Sequence, residues 1–281
     1  MLELNKIHHG DCLELMKDIP DNIIDLTVTS PPYDNLRTYN GYSFDFEGIA
    51  KELYRVTKLG GVVVWVVGDA TVNGSETLTS FKQALFFKEI GFNVHDTMIY
   101  QKTSPYPANV RYQQDFEYMF VFSKGKPKTF NPLQEMKSEK EVQKILKGRM
   151  NPGTKTYRNK DGTIKHLDES SRRRLIKASK KITKNRSNIW KINAGYMIST
   201  KDKIAFEHPA IFPEQLAEDH ILSWSNPGDI VFDPMAGAGT TCKMAMLNDR
   251  KYLGMEISKE YVDIANKRIE EHQEKAIGTL I

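Results

Sequence analysis

The stretch GDIVFDPMAGAGTTCKMAMLNDRKYLGMEIS, residues 228–258, decides the fold of this 281-residue chain. An apolar run is followed by a loop with glycines at 237 and 239, then by a segment of helical length and a second apolar run. Glycine permits tight turns and a close approach of the backbone to a ligand. The order strand, glycine loop, helix, strand predicts two parallel strands with a ligand site at the loop.

The first 125 residues repeat this rhythm of strand and helix. Apolar, β-branched runs predict strands, and apolar residues at helical spacing predict helices between them. The predicted strands cover residues 23–30, 61–69, 93–102 and 117–125, and the predicted helices cover residues 46–58 and 79–91. Two more helices are expected, at residues 217–225 and 259–273. The alternation predicts an α/β fold with a mixed, mostly parallel sheet flanked by helices.

The middle of the chain loses this rhythm and carries most of the positive charge. Residues 124–188 hold 20 Lys and Arg against 6 Asp and Glu, whereas the whole chain has a net charge of only +4. A charge run is most often a solvated surface or a disordered tail. Between two well-patterned halves it favours an insertion that binds a polyanion. We therefore expect three parts, at residues 1–124, 125–188 and 189–281.

Several classes of protein are disfavoured by composition. The sequence contains no run of about 18 apolar residues, so no membrane span is predicted. The N-terminus lacks the layout of a secretory signal. Cys12 and Cys242 are the only two cysteines, and their spacing matches no metal site. We expect a cytoplasmic protein with reduced cysteines and no metal.

The glycine loop favours a nucleoside cofactor. It lacks the Gly-Lys-Ser/Thr sequence of a phosphate-binding loop, since Gly239 precedes two threonines. The helix N-terminus behind it favours a carboxylate or other anion, and Glu256 ends the next strand, where an acid typically binds ribose hydroxyls. Asp233 either orients the loop or meets a cationic part of the cofactor. The alternative is a plain strand-to-helix turn.

A second motif, Ser30-Pro31-Pro32-Tyr33, follows the strand predicted at residues 23–30. Proline cannot donate a ladder hydrogen bond, so the strand must stop there. Ligands of open α/β sheets gather at the carboxyl ends of strands. Taken alone, the motif is equally explained by an ordinary loop or a polyproline contact.

Together these motifs resemble the DNA amino-methyltransferases, enzymes that use S-adenosylmethionine to methylate an exocyclic base nitrogen. Their catalytic motif, (Asp/Asn/Ser)-Pro-Pro-(Tyr/Phe), is matched by SPPY, and their cofactor motif by DPMAGAGTT, with Met235 replacing the usual phenylalanine. Further matches are GDCLELMKDIPDNIIDL, FEYMFVFSKG and HPAIFPEQLAEDHI. The catalytic motif precedes the cofactor motif, which is typical of the β-class. The resemblance implies a Rossmann-like methyltransferase fold with the basic segment as target-recognition region.

The resemblance also implies roles for particular residues. Ser30, Pro31, Pro32 and Tyr33 are the expected catalytic residues. The hydroxyl of Ser30 and the carbonyl of Pro31 would accept hydrogen bonds from the base amine, and Tyr33 would stack on the flipped base. The expected cofactor residues are Asp11, Cys12, Phe212, Pro213, Asp233, Pro234, Met235, Gly237, Gly239, Thr240, Thr241, Glu256 and Ile257. For Asp11, a helix N-cap is an equal explanation.

DNA contacts are expected from the residues after the catalytic motif and from the basic segment, namely Asn35, Arg37, Arg172, Arg173 and Arg174. For the three arginines a solvated helix face is a comparable explanation. Because the family's cytosine-N4 enzymes typically have serine at the first motif position, Ser30 favours cytosine N4 over adenine N6. Other readings are a methyltransferase of RNA or of protein glutamine, which has the opposite motif order, and an inactive DNA-binding module. The expected partners are double-stranded DNA, a second copy of the chain and a cognate restriction endonuclease.

Overall fold

The computed structural model describes residues 2–32, 44–103, 111–146, 157–158, 164–165 and 168–278. Tyr33, Asn35 and Arg37, three of the expected site residues, lie outside the described residues. The chain divides into two compact units. The main unit comprises Met1–Asn131 and Asn188–Ile281, and the inserted unit comprises Pro132–Ser187.

The main unit contains ten strands, six α-helices and one short 3-10 helix among the described residues. Its strands are β1 (Lys6–His9), β2 (Ile24–Thr29), β3 (Thr57–Val67), β4 (Thr71–Val72), β5 (Ser75–Glu76), β6 (Asn93–Lys102), β7 (Phe116–Ser123), β12 (Ile189–Ile192), β13 (Ile230–Asp233) and β14 (Lys251–Glu256). Its helices are α1 (Cys12–Met16), α2 (Phe46–Val56), α3 (Thr79–Glu89), α6 (Glu214–Trp224), α7 (Thr240–Leu247) and α8 (Lys259–Gly278), and the 3-10 helix is Lys203–Glu207.

The inserted unit has shorter elements of its own. They are β8 (Gln134–Met136), α4 (Glu139–Leu146), β9 (Tyr157–Arg158), β10 (Ile164–Lys165), α5 (Glu169–Ser179) and β11 (Thr183–Asn185). Strands β8 and β11 pair antiparallel, as do β9 and β10. The three consecutive arginines of the expected DNA-binding set lie on α5.

Eight strands of the main unit form one sheet, in the order β1-β14-β13-β2-β3-β7-β6-β12. Every neighbouring pair is parallel except β3 with β7 and β6 with β7, so β7 alone runs in the opposite direction. From β2 the chain continues to β3 on one side, whereas β13 lies on the other side. The carboxyl ends of β2 and β13 therefore meet at the switch in strand order, where ligands bind in open α/β sheets.

Buried apolar runs explain the sheet and its helical cover. In β3 all residues from Val62 to Val67 are buried, as expected for a strand covered on both faces. Helix α2 buries Ile49, Leu53 and Val56 on one stripe, and its N-terminus is capped by the carboxylate of Asp45, which accepts a hydrogen bond from the Gly48 N–H at 3.0 Å. The predicted fold, a mixed and mostly parallel sheet flanked by helices, is confirmed.

The end of helix α2 differs from the sequence prediction. Helix α2 ends at Val56, not at residue 58, because Thr57 already has extended dihedral angles and begins β3. Strand β12 pairs with β6, at the opposite end of the sheet from β1 and β14. Among the described residues, no helix combines the length and the apolarity needed to cross a bilayer.

Candidate active site at the carboxyl edge of the sheet

Most of the expected site residues follow neighbouring strands at one edge of the sheet. Strands β1, β14, β13 and β2 are adjacent and parallel, so their carboxyl ends share this edge. At these ends lie, in the order of the strands, Asp11 and Cys12 after β1, Glu256 and Ile257 at the end of β14, the loop from Pro234 to Gly239 after β13, and Ser30 to Pro32 after β2. The arrangement can hold an elongated ligand along the edge with one end at the proline corner.

A buried hydrogen bond joins the proline corner to the glycine loop. The hydroxyl of Thr29, next to Ser30, donates to Oδ1 of Asp233 at 2.7 Å. A second hydrogen bond has its acceptor on β2: the hydroxyl of Thr241, at the start of α7, donates to the carbonyl of Val28 at 3.1 Å. Two side chains thus connect β2 with the two ends of the glycine loop. They fix the spacing of the two motifs.

The carboxylate of Asp233 is held inside the protein. Its Oδ1 also accepts a hydrogen bond from the Met235 N–H, at 3.1 Å, so it fixes the first turn of the loop. Burial raises the pKa of Asp233 to about 6, although hydrogen bonds from the Thr29 hydroxyl and the Met235 N–H oppose this shift. With hydrogen bonds from Thr29 and Met235 on the same oxygen, the Asp233 carboxylate holds the first turn of the loop against β2.

The two glycines of the loop are required by backbone conformation and by packing. Gly237 and Gly239 have φ of 49° and 74°, in the left-handed region that favours glycine. A Cβ at position 239 would lie 2.7 Å from the Cβ of Ala265, and one at position 237 would lie 3.0 Å from Nε2 of His208. The loop is therefore packed closely against α8 and against the segment before α6.

Glu256 closes the other side of the loop. Its Oε2 accepts a hydrogen bond from the Gly237 N–H at 2.8 Å, and its Oε1 accepts one from the Ser258 N–H at 2.9 Å. Burial raises the pKa of Glu256, against the effect of these N–H donors. A carboxylate oxygen accepts more than one hydrogen bond, so both oxygens keep capacity for ribose hydroxyls.

Asp11 and Cys12 lie beside Glu256, because the Gly10 N–H donates to the Glu256 carbonyl at 3.0 Å. Asp11 caps α1: its Oδ1 accepts hydrogen bonds from the N–H groups of Leu13 at 2.8 Å and Glu14 at 3.3 Å. The structure thus shows the N-cap role weighed for Asp11 from the sequence. Burial, with a smaller effect of the Asp11 charge, raises the pKa of Cys12 to about 12, so the thiol is neutral at physiological pH.

The proline corner borders a cavity. Ser30 and Pro32 are half-buried and Pro31 is buried. Pro32 lines a cavity of about 430 Å³ together with seven residues from the start of α2, the start of α3 and the segment before α2: Phe44, Phe46, Glu47, Thr79, Lys82, Gln83 and Phe86. Aromatic rings and a few polar groups around such a cavity can hold a planar polar ring.

Phe212 and Pro213 immediately precede α6, where Pro213 is buried and Phe212 half-buried. His208, a few residues earlier, contacts Gly237 and packs edge-to-face on Tyr261 at 4.3 Å between ring centroids. The segment thereby lies close to the glycine loop.

In the inserted unit, Arg173 and Arg174 are exposed on α5, and Arg173 forms an ion pair with Glu169 at 2.8 Å. Arg172 belongs to the same helix. The two exposed arginines therefore present positive charge to solvent within their own unit. Among the described residues, no group of three or more His, Cys, Asp or Glu side chains could hold a metal ion.

Sequence reasoning missed a buried ionic cluster behind the glycine loop. Asp202 and Glu214 both pair with Lys243, at 2.7 and 2.6 Å, and both pair with Arg268, at 3.1 and 2.9 Å. His272 contacts Asp202 at 3.0 Å. We call these five residues the ionic cluster. The available signals were Lys243 within the apolar run TTCKMAML and Arg268 between the buried Ile264, Ala265 and Ile269.

Comparison with known proteins identifies the family of this chain. Residues 24–267 match the family model for N6 and N4 methyltransferases, described as DNA methylase. The chain is 60% identical over 261 residues to the orphan methyltransferase M.BamHII of Bacillus amyloliquefaciens, and the match covers 92% of this chain and 93% of that protein. It is 29% identical to the type II methyltransferase M.BglII of Bacillus subtilis, over 93% of this chain and 68% of that one.

Solved structures with the same fold include TTHA0409 and the PvuII DNA methyltransferase. TTHA0409 of Thermus thermophilus, solved in complex with S-adenosyl-L-methionine, is 24% identical with a TM-score of 0.61, covering 95% of this chain and 93% of that chain. The PvuII DNA methyltransferase, described as cytosine-N4-specific, is 21% identical with a TM-score of 0.62, covering 92% of this chain and 84% of that chain. At these identities the likeness concerns the fold.

Proposed function

The chain belongs to the N6/N4 DNA methylase family, and on this premise we propose that it methylates the exocyclic amine of a flipped base, with cytosine N4 favoured over adenine N6. The methyl donor is S-adenosylmethionine, which when bound would supply a methyl group on a sulfonium sulfur; the S–CH3 bond would break as the N–CH3 bond forms, S-adenosylhomocysteine would leave as a neutral thioether, and the amine would release one proton. The observation that carries the proposal is the Thr29–Asp233 hydrogen bond of 2.7 Å, which joins the proline corner to the glycine loop.

The edge of the sheet fits this cofactor by the chemistry of its groups. Gly237 and Gly239 let the loop turn tightly at the end of β13 and pack against His208 and Ala265, and such a tight turn at a strand end brings the loop backbone close to a ligand. Glu256 stands at the end of the next strand, where a carboxylate accepts hydrogen bonds from ribose hydroxyls. Asp11 and Cys12 follow β1, one strand further on. We propose that the adenosine part lies along β14 and β1 and that Phe212 and Pro213 cover the methionine part.

The proline corner supplies acceptors for the base amine. An aromatic amine is a weak nucleophile because its lone pair is delocalised into the ring. The Ser30 hydroxyl and the Pro31 carbonyl accept hydrogen bonds from the amine hydrogens, keep the nitrogen pyramidal and aim its lone pair at the methyl group. Prolines add no competing N–H and fix the backbone, and preorganised dipoles are a large source of catalysis. Tyr33, beyond the described residues, is proposed to stack on the base.

Cytosine is favoured by the serine at position 30. Serine at this motif position is typical of the family's cytosine-N4 enzymes, and its hydroxyl can both accept and donate a hydrogen bond, whereas an ionised Asp only accepts. Adenine N6 is the alternative target. We further propose that Arg172, Arg173 and Arg174 contact DNA phosphates, and that Asn35 and Arg37 act near the base. A homodimer and a cognate restriction endonuclease stay proposals, as does a location in the cytoplasm.

The experiment that tests the proposal is methyl transfer to duplex DNA. Purified protein is incubated with S-adenosylmethionine carrying a labelled methyl group and with mixed-sequence duplex DNA, and the DNA is digested to nucleosides for mass spectrometry. We expect labelled N4-methylcytosine. Labelled N6-methyladenine instead would overturn the cytosine assignment but keep the enzyme. DNA binding without transfer of label would overturn the enzymatic function and favour a DNA-binding module.

A further inference from the structure

Arg268 is a wholly buried cation whose guanidinium contacts the glycine loop. Its side chain on α8 is 0% exposed. Nη1 donates to the carbonyl of Ala238, the residue between the two loop glycines, and to the hydroxyl of Thr240 at 3.2 Å. A buried arginine is tolerated only when its donors are paired, and here two of its partners belong to the loop and the first residue of α7 behind it.

A second nitrogen of Arg268 reaches the residue that follows Phe212 and Pro213, and a third reaches Asp202. Nη2 donates to Glu214, the residue directly after Pro213, at 2.9 Å, and Nε donates to Asp202 at 3.1 Å. One guanidinium therefore contacts both segments that are proposed to touch the cofactor. Its planar, five-donor geometry suits this bridging role, which a lysine ammonium cannot reproduce in full.

The rest of the ionic cluster keeps this bridge fixed. Lys243 neutralises the same two carboxylates from α7, and its side chain is 3% exposed. The hydroxyl of Thr200 donates to Glu214 at 2.6 Å. Although burial acts to raise the pKa of Asp202, hydrogen bonds from Lys243, His272 and Arg268 hold this pKa well below its ordinary value. The carboxylates of Asp202 and Glu214 thus each face both Lys243 and Arg268.

The glycine loop needs these contacts because its own backbone has large conformational freedom. Glycines at 237 and 239 flank Ala238, and glycine has the largest conformational freedom of any residue. A fixed Ala238 carbonyl fixes the plane of the peptide that joins residues 238 and 239. With this plane and the position of Glu214 set by one side chain, the distance between the loop and the Phe212–Pro213 segment is set as well.

We propose that Arg268 is a positioning residue for S-adenosylmethionine. It holds the glycine loop and the segment before α6 at the separation that the cofactor requires, without touching the cofactor. The inference rests on the proposed placement of the cofactor on the glycine loop. A positioning role predicts a loss of affinity for the cofactor in a folded variant, whereas a role in folding alone predicts only a loss of stability.

The test compares Arg268→Lys with a matched control, Arg250→Lys. Arg250 is another buried arginine that contacts main chain, donating to the Ser225 carbonyl at 2.7 Å, but it lies past the far end of α7 from the loop. The dissociation constants of S-adenosylmethionine and S-adenosylhomocysteine are measured by calorimetry, together with kcat and both KM values. Thermal unfolding checks that each variant is folded.

We expect Arg268→Lys to weaken S-adenosylmethionine binding about tenfold, the effect of losing one charge-assisted hydrogen bond. The KM for DNA and the kcat at saturating cofactor should change less than about threefold, and Arg250→Lys should leave cofactor affinity unchanged. Equal affinity in Arg268→Lys and wild type overturns the inference, as does an equal loss in Arg250→Lys. If Arg268→Lys does not fold, Thr200→Val takes its place, because it removes a neutral hydrogen-bond partner of the ionic cluster. Thr200→Val must then weaken the binding of S-adenosylmethionine and leave the KM for DNA unchanged.

Glu256→Gln separates this inference from the proposed function. Glu256 is proposed to bind the cofactor ribose and makes no contact with Arg268 among the described hydrogen bonds. If Glu256→Gln lowers the affinity for S-adenosylmethionine and Arg268→Lys does not, only the proposed role of Arg268 is contradicted. If neither variant lowers this affinity, the proposed placement of the cofactor on the glycine loop is contradicted as well.

Discussion

Thr29 and Asp233 are 204 positions apart in the chain, yet the threonine hydroxyl donates to the buried carboxylate at 2.7 Å. The contact exists because β2 and β13 are parallel neighbours, with Val231 opposite Leu26 and Phe232 opposite Thr27. It makes the positions of the proline corner and the glycine loop depend on each other. Cofactor affinity and the geometry of methyl transfer should therefore respond to changes on either strand.

Replacing Thr29 with valine should show this dependence. The substitution keeps the volume of the side chain but leaves Asp233 without one of its donors, which we expect to lower the free energy of unfolding by about 1–3 kcal/mol. Cofactor affinity should fall as the loop loosens. Thr27→Val is the matched control, since the buried Thr27 hydroxyl has no hydrogen-bond partner within the described part of the chain. Urea unfolding and calorimetry measure both effects, and equal results for the two variants would contradict the role of Thr29.

Asp233 should also make stability depend on pH. Its pKa is raised to about 6 in the folded protein, against about 3.9 in an unfolded chain. Between these values the folded protein holds a proton that the unfolded chain has released, so the free energy of unfolding falls as pH rises through this window. Asp233→Asn cannot titrate at this position. Relative to this variant, the free energy of unfolding of the wild type should fall by about 2 kcal/mol between pH values of about 4.5 and 7.5.

Urea unfolding of both proteins at these two pH values measures the difference. Glu256→Gln serves as control, because Glu256 also has a raised pKa, and its removal should leave most of the contribution of Asp233 in place, since burial is the largest cause of the raised pKa of Asp233 and the Glu256 charge the smallest of those given. If wild type and Asp233→Asn show parallel pH profiles, Asp233 does not titrate in this window.

The sequence predicted those parts of the fold that local patterns determine. The apolar run of β3 and the helical stripe of Ile49, Leu53 and Val56 in α2 need only hydrophobic periodicity. The positions of the glycine loop and the proline corner at strand ends followed from glycine and proline chemistry. Their meeting at one edge followed from the general behaviour of parallel sheets.

The ionic cluster was not predictable in the same way. The apolar neighbours of Lys243 and Arg268 hint at burial, but the sequence does not show which carboxylates pair with them, because these partners come from distant positions. Asp202 is 66 positions before Arg268, and Glu214 is 54 before it. The loss of pattern in the middle of the chain had a related cause. The inserted unit forms short elements such as β8 and β9, which are too brief for a hydrophobic period to appear.

The thiol of Cys12 should be unreactive in the native protein. Burial raises its pKa to about 12, so only a minute fraction is thiolate at a pH of about 8, whereas a free cysteine with a pKa near about 8.5 is substantially ionised. We expect alkylation by iodoacetamide to be more than about 100-fold slower than in the urea-unfolded chain. Cys242, wholly buried with a raised pKa, is the internal control for a protected thiol. Peptide mass spectrometry resolves the two sites, and rapid native labelling of Cys12 would contradict the prediction.

The three arginines of α5 should contribute to the salt dependence of DNA binding. Replacing Arg172, Arg173 and Arg174 by alanine removes up to three phosphate contacts, each of which adds about 0.9 to the slope of log K against log salt concentration. The control is the triple variant Lys6→Ala, Lys17→Ala, Lys51→Ala, which removes the same charge from exposed positions of the main unit. Filter binding from about 50 to 200 mM salt measures the slopes, and the same slope in both variants would exclude the arginines from the interface.

The hydroxyl of Ser30 should matter for the methyl-transfer step more than for binding. Ser30→Ala removes one of the two proposed acceptors of the base amine, and the loss of one preorganised group typically lowers kcat by about 10²–10³-fold. The dissociation constants for DNA and S-adenosylmethionine should change little. Ser123→Ala is the matched control: Ser123 also ends a strand, but β7 runs opposite to β2, so it lies at the other edge of the sheet. Single-turnover kinetics isolate the chemical step, and an equal rate in Ser30→Ala and Ser123→Ala would remove the Ser30 hydroxyl from catalysis.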